Sequence, residues 1–161
     1  MKFKYLSILF ILSLLLSACT IGVEPKEHLE EIYSVALDSI MEQDEALSSD
    51  MEYIAIDMSN FEKFDDSGKE EILRYFKEKY NVDVIDATFA QLEEKGLYNP
   101  DTMSLDGVLL SIESIDFKFN NNIFFEGSKY RSGSGAFGVE GTIHYQDDKW
   151  KAKEAKMTWV S

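Results

Sequence analysis

Cysteine, histidine and basic side chains are all scarce in this chain. Its 161 residues include one cysteine and two histidines. One thiol cannot close an intramolecular disulfide, and two isolated histidines seldom suffice for a metal site or for Ser-His catalysis. We therefore expect no metal and no cofactor.

Basic residues number 16 against 30 acidic ones, which gives a net charge of −14. Such a surface repels nucleic acid and anionic headgroups, so nucleic acid is excluded as a partner.

The N-terminal apolar run is too short to cross a membrane. Residues 5–16 read YLSILFILSLLL, against the roughly 20 residues that a spanning helix requires. The run follows the positive residues Lys2 and Lys4 and precedes the small residues Ser17 and Ala18. This order is typical of a secretory signal and disfavours a transmembrane anchor. We expect residues 1–18 to be a signal peptide.

The single cysteine, Cys19, directly follows this signal. The sequence Leu16-Ser17-Ala18-Cys19 resembles the lipobox of bacterial lipoproteins. The resemblance implies cleavage between Ala18 and Cys19, a diacylglyceryl group on Cys19, and a position on the extracytoplasmic face of the cell membrane. Two acyl chains anchor a protein stably, whereas one anchors it marginally. The alternative is an incidental cysteine beside an ordinary cleavage site.

Removal of the signal leaves 143 residues, enough for one domain with a hydrophobic core. These residues carry 14 basic and 30 acidic side chains, or −16. Because that charge disfavours an anionic membrane, the lipid has to supply the attachment. We expect residues 19–24 to form a short tether and residues 25–161 to form a single α+β domain.

Helical signals dominate the first half of the domain. Apolar spacing predicts a helix over residues 25–47. A capping-box pattern at Ser67 predicts a second helix that ends near Asn81, and another at Thr88 predicts a third that stops at Gly96. Residues 51–58 and 82–87 read as short strands.

The second half predicts an antiparallel meander of about four strands, over residues 108–119, 123–131, 136–146 and 149–160. In the first and last of these, the apolar residues change from even to odd positions partway along. Because strand side chains alternate with a period of two, each change predicts a bulge or a crossing to another face. We expect a bent sheet that wraps the amphipathic first helix, with the aromatic residues, Trp159 included, in packing positions.

Helices followed by a bent antiparallel meander resemble the cone-shaped folds of the cystatin-like and nuclear-transport-factor-two type. The ending Asp148-Lys149-Trp150-Lys151 with Trp159, together with the YIAID, KYNVDVIDATF and SGSGAFG stretches, is also similar to small, largely uncharacterised lipoproteins of Gram-positive bacteria. That resemblance implies no reaction.

Few residues offer chemistry. The glycine-rich run at residues 132–135 leads into a strand, so it favours a hairpin connection over a phosphate loop. His144 lies four residues from Glu140 on one strand face, where the pair could act in acid–base chemistry or be an ordinary surface pair. Tyr130 joins them as a candidate pocket residue.

These patterns predict a membrane-anchored cell-surface lipoprotein that is not an enzyme and binds a protein partner or small ligand. One alternative is an accessory solute-capture component of a transporter, with an apolar pocket open at the mouth of the cone. A second alternative is an enzyme with a small acid–base pocket at His144.

Overall fold

The computed structural model describes residues 23–61, 64–118 and 122–161, which form an α+β domain. Its helices are α1 (Leu29–Met41), α2 (Asp66–Tyr80) and α3 (Phe89–Glu94), with short 3-10 turns at Pro25–Glu27 and Glu45–Ser48. Its strands are β1 (Tyr53–Asp57), β2 (Asp83–Asp86), β3 (Tyr98–Asn99), β4 (Ser104–Phe117), β5 (Asn122–Ser132), β6 (Gly135–Gln146) and β7 (Lys149–Val160).

All seven strands belong to one open mixed sheet. Its order is β2-β1-β4-β5-β6-β7, with the short β3 paired to β4. The pairs from β4 to β7 are antiparallel, as the predicted meander requires, but β1 lies parallel to both β2 and β4. The prediction of a four-stranded antiparallel sheet was therefore wrong in size and in type. The parallel strands need a crossover through α2, and no local turn signal marks such a pairing.

The helix predictions hold in type but not at every boundary. The predicted first helix splits at both ends, because His28 is not helical and Asp44 adopts a left-handed conformation with φ of 48°. The α2 helix is capped by Asp65, whose Oδ1 accepts a hydrogen bond from the Gly68 backbone N–H at 2.9 Å, so Ser67 is not the cap. The capping box at Thr88 is confirmed, with both of its reciprocal bonds present.

Both predicted bulges are confirmed. The β4–β5 register shifts between Ile112 and Ser114, and the β6–β7 ladder skips Lys153. A third shift skips Thr158 and turns Trp159 to the face opposite Met157. Trp159 is 47% exposed, so its predicted packing role was wrong.

The core occupies both faces of the sheet, unequally. On the inner face, α1 packs against β4, β5, β6 and β7, and α2 packs against α1 and β2. This face is filled with apolar side chains that include Phe137 and Trp150, 1% and 3% exposed. On the outer face, α3 covers only the β1–β4 side through a smaller cluster around Ala55, Leu92 and Leu109. Apart from Tyr130 of β5, which joins this cluster, no helix of the described residues covers the outer surface of β5, β6 and β7.

Candidate functional site

Cys19, predicted to carry the lipid, and Ala18, predicted to precede the cleavage point, lie outside the described part of the chain. The predicted pocket residues lie on the outer face of β5 and β6. They lie on the same face but do not come together in one site. Glu140 forms an ion pair with Lys156 on β7 at 2.8 Å, and His144 Nε2 lies 2.9 Å from the Gln146 side-chain oxygen. Four residues of strand separate Glu140 from His144 by roughly 13 Å, too far for direct proton transfer.

Tyr130 belongs to the outer packing cluster. Its hydroxyl donates to the Met103 carbonyl at 2.8 Å, and its ring meets Phe89 edge-on at 5.4 Å. Burial raises the pKa of its hydroxyl, so Tyr130 stays protonated near neutral pH. These contacts explain Tyr130 as a packing residue.

A shallow groove does surround Glu140. Its volume is about 150 Å³, and its walls are Phe124, Glu140, Gly141, Thr142, Glu154 and Lys156. Small-molecule sites usually enclose about 300–1,000 Å³. The groove could therefore hold only a small molecule or one group of a larger partner, and its charged residues Glu140 and Lys156 already pair with each other.

A larger groove separates α1 from α2. It has a volume of about 290 Å³ and is lined by Glu30, Glu31, Ser34, Val35, Glu71 and Tyr75. Two of its carboxylates have neighbours. Glu31 Oε1 accepts a hydrogen bond from the Trp150 backbone N–H at 3.2 Å. Glu30 Oε1 lies close to Gly68, where an added Cβ would be 2.9 Å from it. Three carboxylates in a groove are common in so acidic a chain and do not by themselves identify a ligand.

Tyr75 of this groove also belongs to a polar clamp on Asp38, which joins α1 to α2. The Asp38 carboxylate accepts hydrogen bonds from the Tyr80 hydroxyl at 2.6 Å, the Tyr75 hydroxyl at 3.3 Å and the Lys79 ammonium. Burial, and then the bond to Asp38, raises the pKa of Tyr80. The clamp therefore ties α2 to α1 beside the groove.

The site best placed for binding lies at the carboxyl ends of β1 and β2. The chain leaves β1 through α2 on the inner face to reach β2, and then passes through α3 on the outer face to reach β4 on the other side of β1. In open sheets with parallel strands, ligands bind where the connections diverge to opposite faces in this way. The carboxyl-end cleft here has a volume of about 150 Å³ and is lined by Ser59, Lys69, Asp86, Thr88 and Gln91.

Hydrogen bonds to neighbouring residues fix the polar groups of the carboxyl-end cleft. Asp57 Oδ1 accepts from the Ser59 backbone N–H at 3.0 Å and from its hydroxyl at 2.5 Å. Asp86 Oδ1 accepts the Met58 N–H at 3.3 Å, and its Oδ2 lies 3.7 Å from Lys69 Nζ. The Lys69–Asp86 contact is longer than a tight charged hydrogen bond. A small polar group could therefore bind beside this pair and contact both the cation and the carboxylate.

Lys129 is a buried cation that the sequence analysis missed. It is 0% exposed, and its Nζ donates to the carbonyls of Met41, Gln43 and Asp44 at 2.9, 3.1 and 3.2 Å. Burial lowers its pKa to about 8. These carbonyls terminate α1, where a cation is favoured by the helix dipole and by the unpaired acceptors. Lys129 is therefore a structural cap.

The chain matches no protein-family model, no curated protein and no solved structure. Among the described residues, no helix is both long and apolar enough to cross a membrane. In the same ranges, no group of three or more His, Cys, Asp or Glu side chains is arranged to hold a metal ion.

Proposed function

We propose that this protein is a membrane-anchored cell-surface lipoprotein whose single domain binds a protein partner or small ligand without catalysing a reaction. The sequence around Cys19 carries the proposal. Leu16-Ser17-Ala18-Cys19 stands at the end of a short apolar signal, and Val23, only four residues later, already packs against the hydrophobic core. Four residues span at most about 14 Å. The domain would therefore sit directly on the membrane, on its extracytoplasmic face.

Replacement of Cys19 tests the anchor. Cys19→Ala removes the acceptor of the lipid, and we expect this variant to leave the membrane fraction while wild type stays with it. Inhibition of lipoprotein signal cleavage with globomycin should leave the uncut, larger precursor in wild-type cells. If Cys19→Ala sediments with membranes as wild type does, and survives a high-salt wash there, the anchor is wrong.

The carboxyl-end cleft is the surface that we propose for binding. It combines a cation, a carboxylate and hydroxyls on both sides of a topological switch point. Its small volume suits a polar group of a partner or a small polar molecule. The resemblance to cystatin-like cones remains a prediction of fold type, and the binding proposal does not depend on it.

A thermal-shift screen with small polar molecules separates the two candidate grooves. A compound whose stabilisation disappears in Lys69→Ala but persists in Tyr75→Ala binds the carboxyl-end cleft. The opposite pattern places binding between α1 and α2. Tyr75 lines the groove between α1 and α2 and is absent from the lining of the carboxyl-end cleft, so its replacement reports on the other groove.

A further inference from the structure

The open edge strand β7 differs in charge from the rest of the molecule. It carries four lysines, at positions 149, 151, 153 and 156, and one acidic residue, Glu154, so its own charge is +3 on a chain of −14. Lys151 pairs with Asp147 and Lys156 with Glu140. Lys149 and Lys153 have no ion pair within the described residues. The strand is therefore a basic edge on an acidic protein.

The far end of β7 is apolar and exposed. Met157, Trp159 and Val160 are 47%, 47% and 71% exposed. Met157 and Val160 lie opposite Val139 and Phe137 on the inner side of the edge, whereas Trp159 packs on the outer side over Gly138. A Cβ on Gly138 would lie 2.1 Å from the indole nitrogen, so glycine at this position allows the close approach of the ring. Apolar side chains thus flank the edge on both sides.

The lipid attachment would lie at the other end of the same strand. The Trp150 backbone N–H donates to Glu31 at the start of α1, which places the beginning of β7 beside the start of the domain. Cys19 is four residues before Val23, a reach of at most about 14 Å. Trp159 lies nine residues further along β7, about 30 Å away. The start of the domain, the lysines and the apolar end therefore follow one line along β7.

We propose that β7 is the surface that lies against the membrane, with its lysines at anionic headgroups and Trp159, Met157 and Val160 at the bilayer interface. The inference rests on the proposed lipid anchor, which keeps the domain at the bilayer. Basic side chains are attracted to anionic lipid, and tryptophan favours the interface between headgroups and acyl chains. Long lysine side chains can extend their ammonium groups past the edge toward the headgroups.

The backbone of β7 favours a bilayer over a protein strand as the occupant. The ladder with β6 is interrupted at Lys153 and at Thr158. Bulges and lysines on an edge are devices that prevent strand addition. Contact with a lipid surface uses side chains and needs no regular row of backbone donors and acceptors. The same two bulges that hinder a partner strand leave membrane contact unaffected.

Acidic neighbours limit the strength of the contact. Asp147 and Asp148 lie in the turn before β7, and Glu154 lies within the strand. The contact would therefore be too weak to hold the protein without its lipid. It needs only to orient a domain that is already anchored, because the anchored domain has no translational freedom to lose on contact.

Fluorescence quenching tests this orientation on the full, lipidated protein in vesicles. One set contains phosphatidylcholine only, and the other contains phosphatidylcholine with phosphatidylglycerol, each with and without acyl-brominated lipid. Trp159 is the exposed one of the two tryptophans, and Trp150 is buried. We expect brominated lipid to quench emission in the anionic vesicles, and we expect Trp159→Phe to abolish that quenching.

Matched charge variants identify the surface. Lys149→Gln/Lys153→Gln should reduce the quenching of Trp159, and Lys77→Gln/Lys95→Gln, which removes the same charge elsewhere, should leave it unchanged. Circular dichroism confirms that each variant is folded. If the protein floats with anionic vesicles but Trp159 is not quenched, β7 does not face the bilayer and is free for a protein partner. If the protein does not float at all, the anchor and this inference both fail.

Discussion

Replacing Lys129 with methionine removes the cation that caps α1 and leaves most of the packing in place. Methionine keeps an unbranched chain beside the Phe137 ring, which lies 5.6 Å from Nζ. The carbonyls of Met41, Gln43 and Asp44 remain but lose their common donor. The substitution therefore tests whether a buried cation stabilises a helix end enough to offset its own desolvation.

Two opposing effects set the size of the change. The lowered pKa of Lys129, about 8 instead of 10.5, corresponds to about 3 kcal/mol against the charged form, chiefly because of burial, and methionine does not carry this cost. Three hydrogen bonds from a charged donor contribute about 1.5–3 kcal/mol each, and the variant loses them. Gln43 and Asp44 lie near solvent, and their carbonyls can be hydrated after the loss. We expect a net loss of about 2 kcal/mol in the free energy of unfolding.

Urea denaturation followed by circular dichroism at pH 7 measures this loss. Lys118→Met, at an exposed position in the β4–β5 connection, is the matched control and should change stability by less than about 0.5 kcal/mol. Burying an ion can cost more free energy than its contacts provide, and in that case an apolar replacement stabilises the fold. If Lys129→Met is as stable as wild type or more so, the capping argument is wrong.

The pH dependence gives a second measure of the same group. Burial lowers the pKa of Lys129 to about 8, whereas the amine of the unfolded chain titrates near 10.5. Between these values the unfolded chain binds more protons than the folded one, so this group makes stability rise with pH. Wild type minus Lys129→Met should show that rise from pH 8 to 10.5 and no slope below pH 7. A flat difference across the window would falsify the lowered pKa.

Two further substitutions test contacts on α2. Tyr80→Phe deletes the hydroxyl that donates to Asp38 at 2.6 Å, and should lower the free energy of unfolding by about 1 kcal/mol in urea denaturation; no change would show that water replaces the bond fully. Asp65→Ala removes the observed α2 cap and should cost about 1 kcal/mol, whereas Ser67→Ala should cost little. Equal losses from the two alanine variants would show that the assigned cap is wrong.

Features encoded by adjacent residues were predictable from the sequence. The capping box at Thr88 and Gln91 is formed by side chains three residues apart, and Asn81 ends α2 with φ of 55°, a conformation that asparagine tolerates. The bulges in β4 and β7 followed from a change in the parity of apolar residues. Each signal depends on a few consecutive residues, and no distant part of the fold overrides it.

Features that depend on distant residues were not predictable. Lys129 is bonded to carbonyls more than 80 residues earlier, and Asp38 to hydroxyls about 40 residues later. The parallel pairing of β1 with β2 and β4 likewise depends on the path of α2. One signal for Lys129 was present: it shares the inward parity of Ile123 and Phe125 on β5, where a charged residue requires a partner. Glu140 and His144 share one strand face, as predicted, and Tyr130 lies on the same side of the sheet, but each is satisfied by its own neighbours.

The two proposed roles, membrane contact and binding, lie at opposite edges of the sheet. The basic β7 and the short β2, which begins and ends with aspartates, are separated by five strand spacings, about 24 Å. If β7 rests on the bilayer, the carboxyl-end cleft beside β2 lies toward the opposite edge and stays accessible. Binding there and membrane contact would then be independent. Lys69→Ala should therefore leave the quenching of Trp159 by brominated lipid unchanged, whereas a partner site at Trp159 itself would make binding and membrane contact compete.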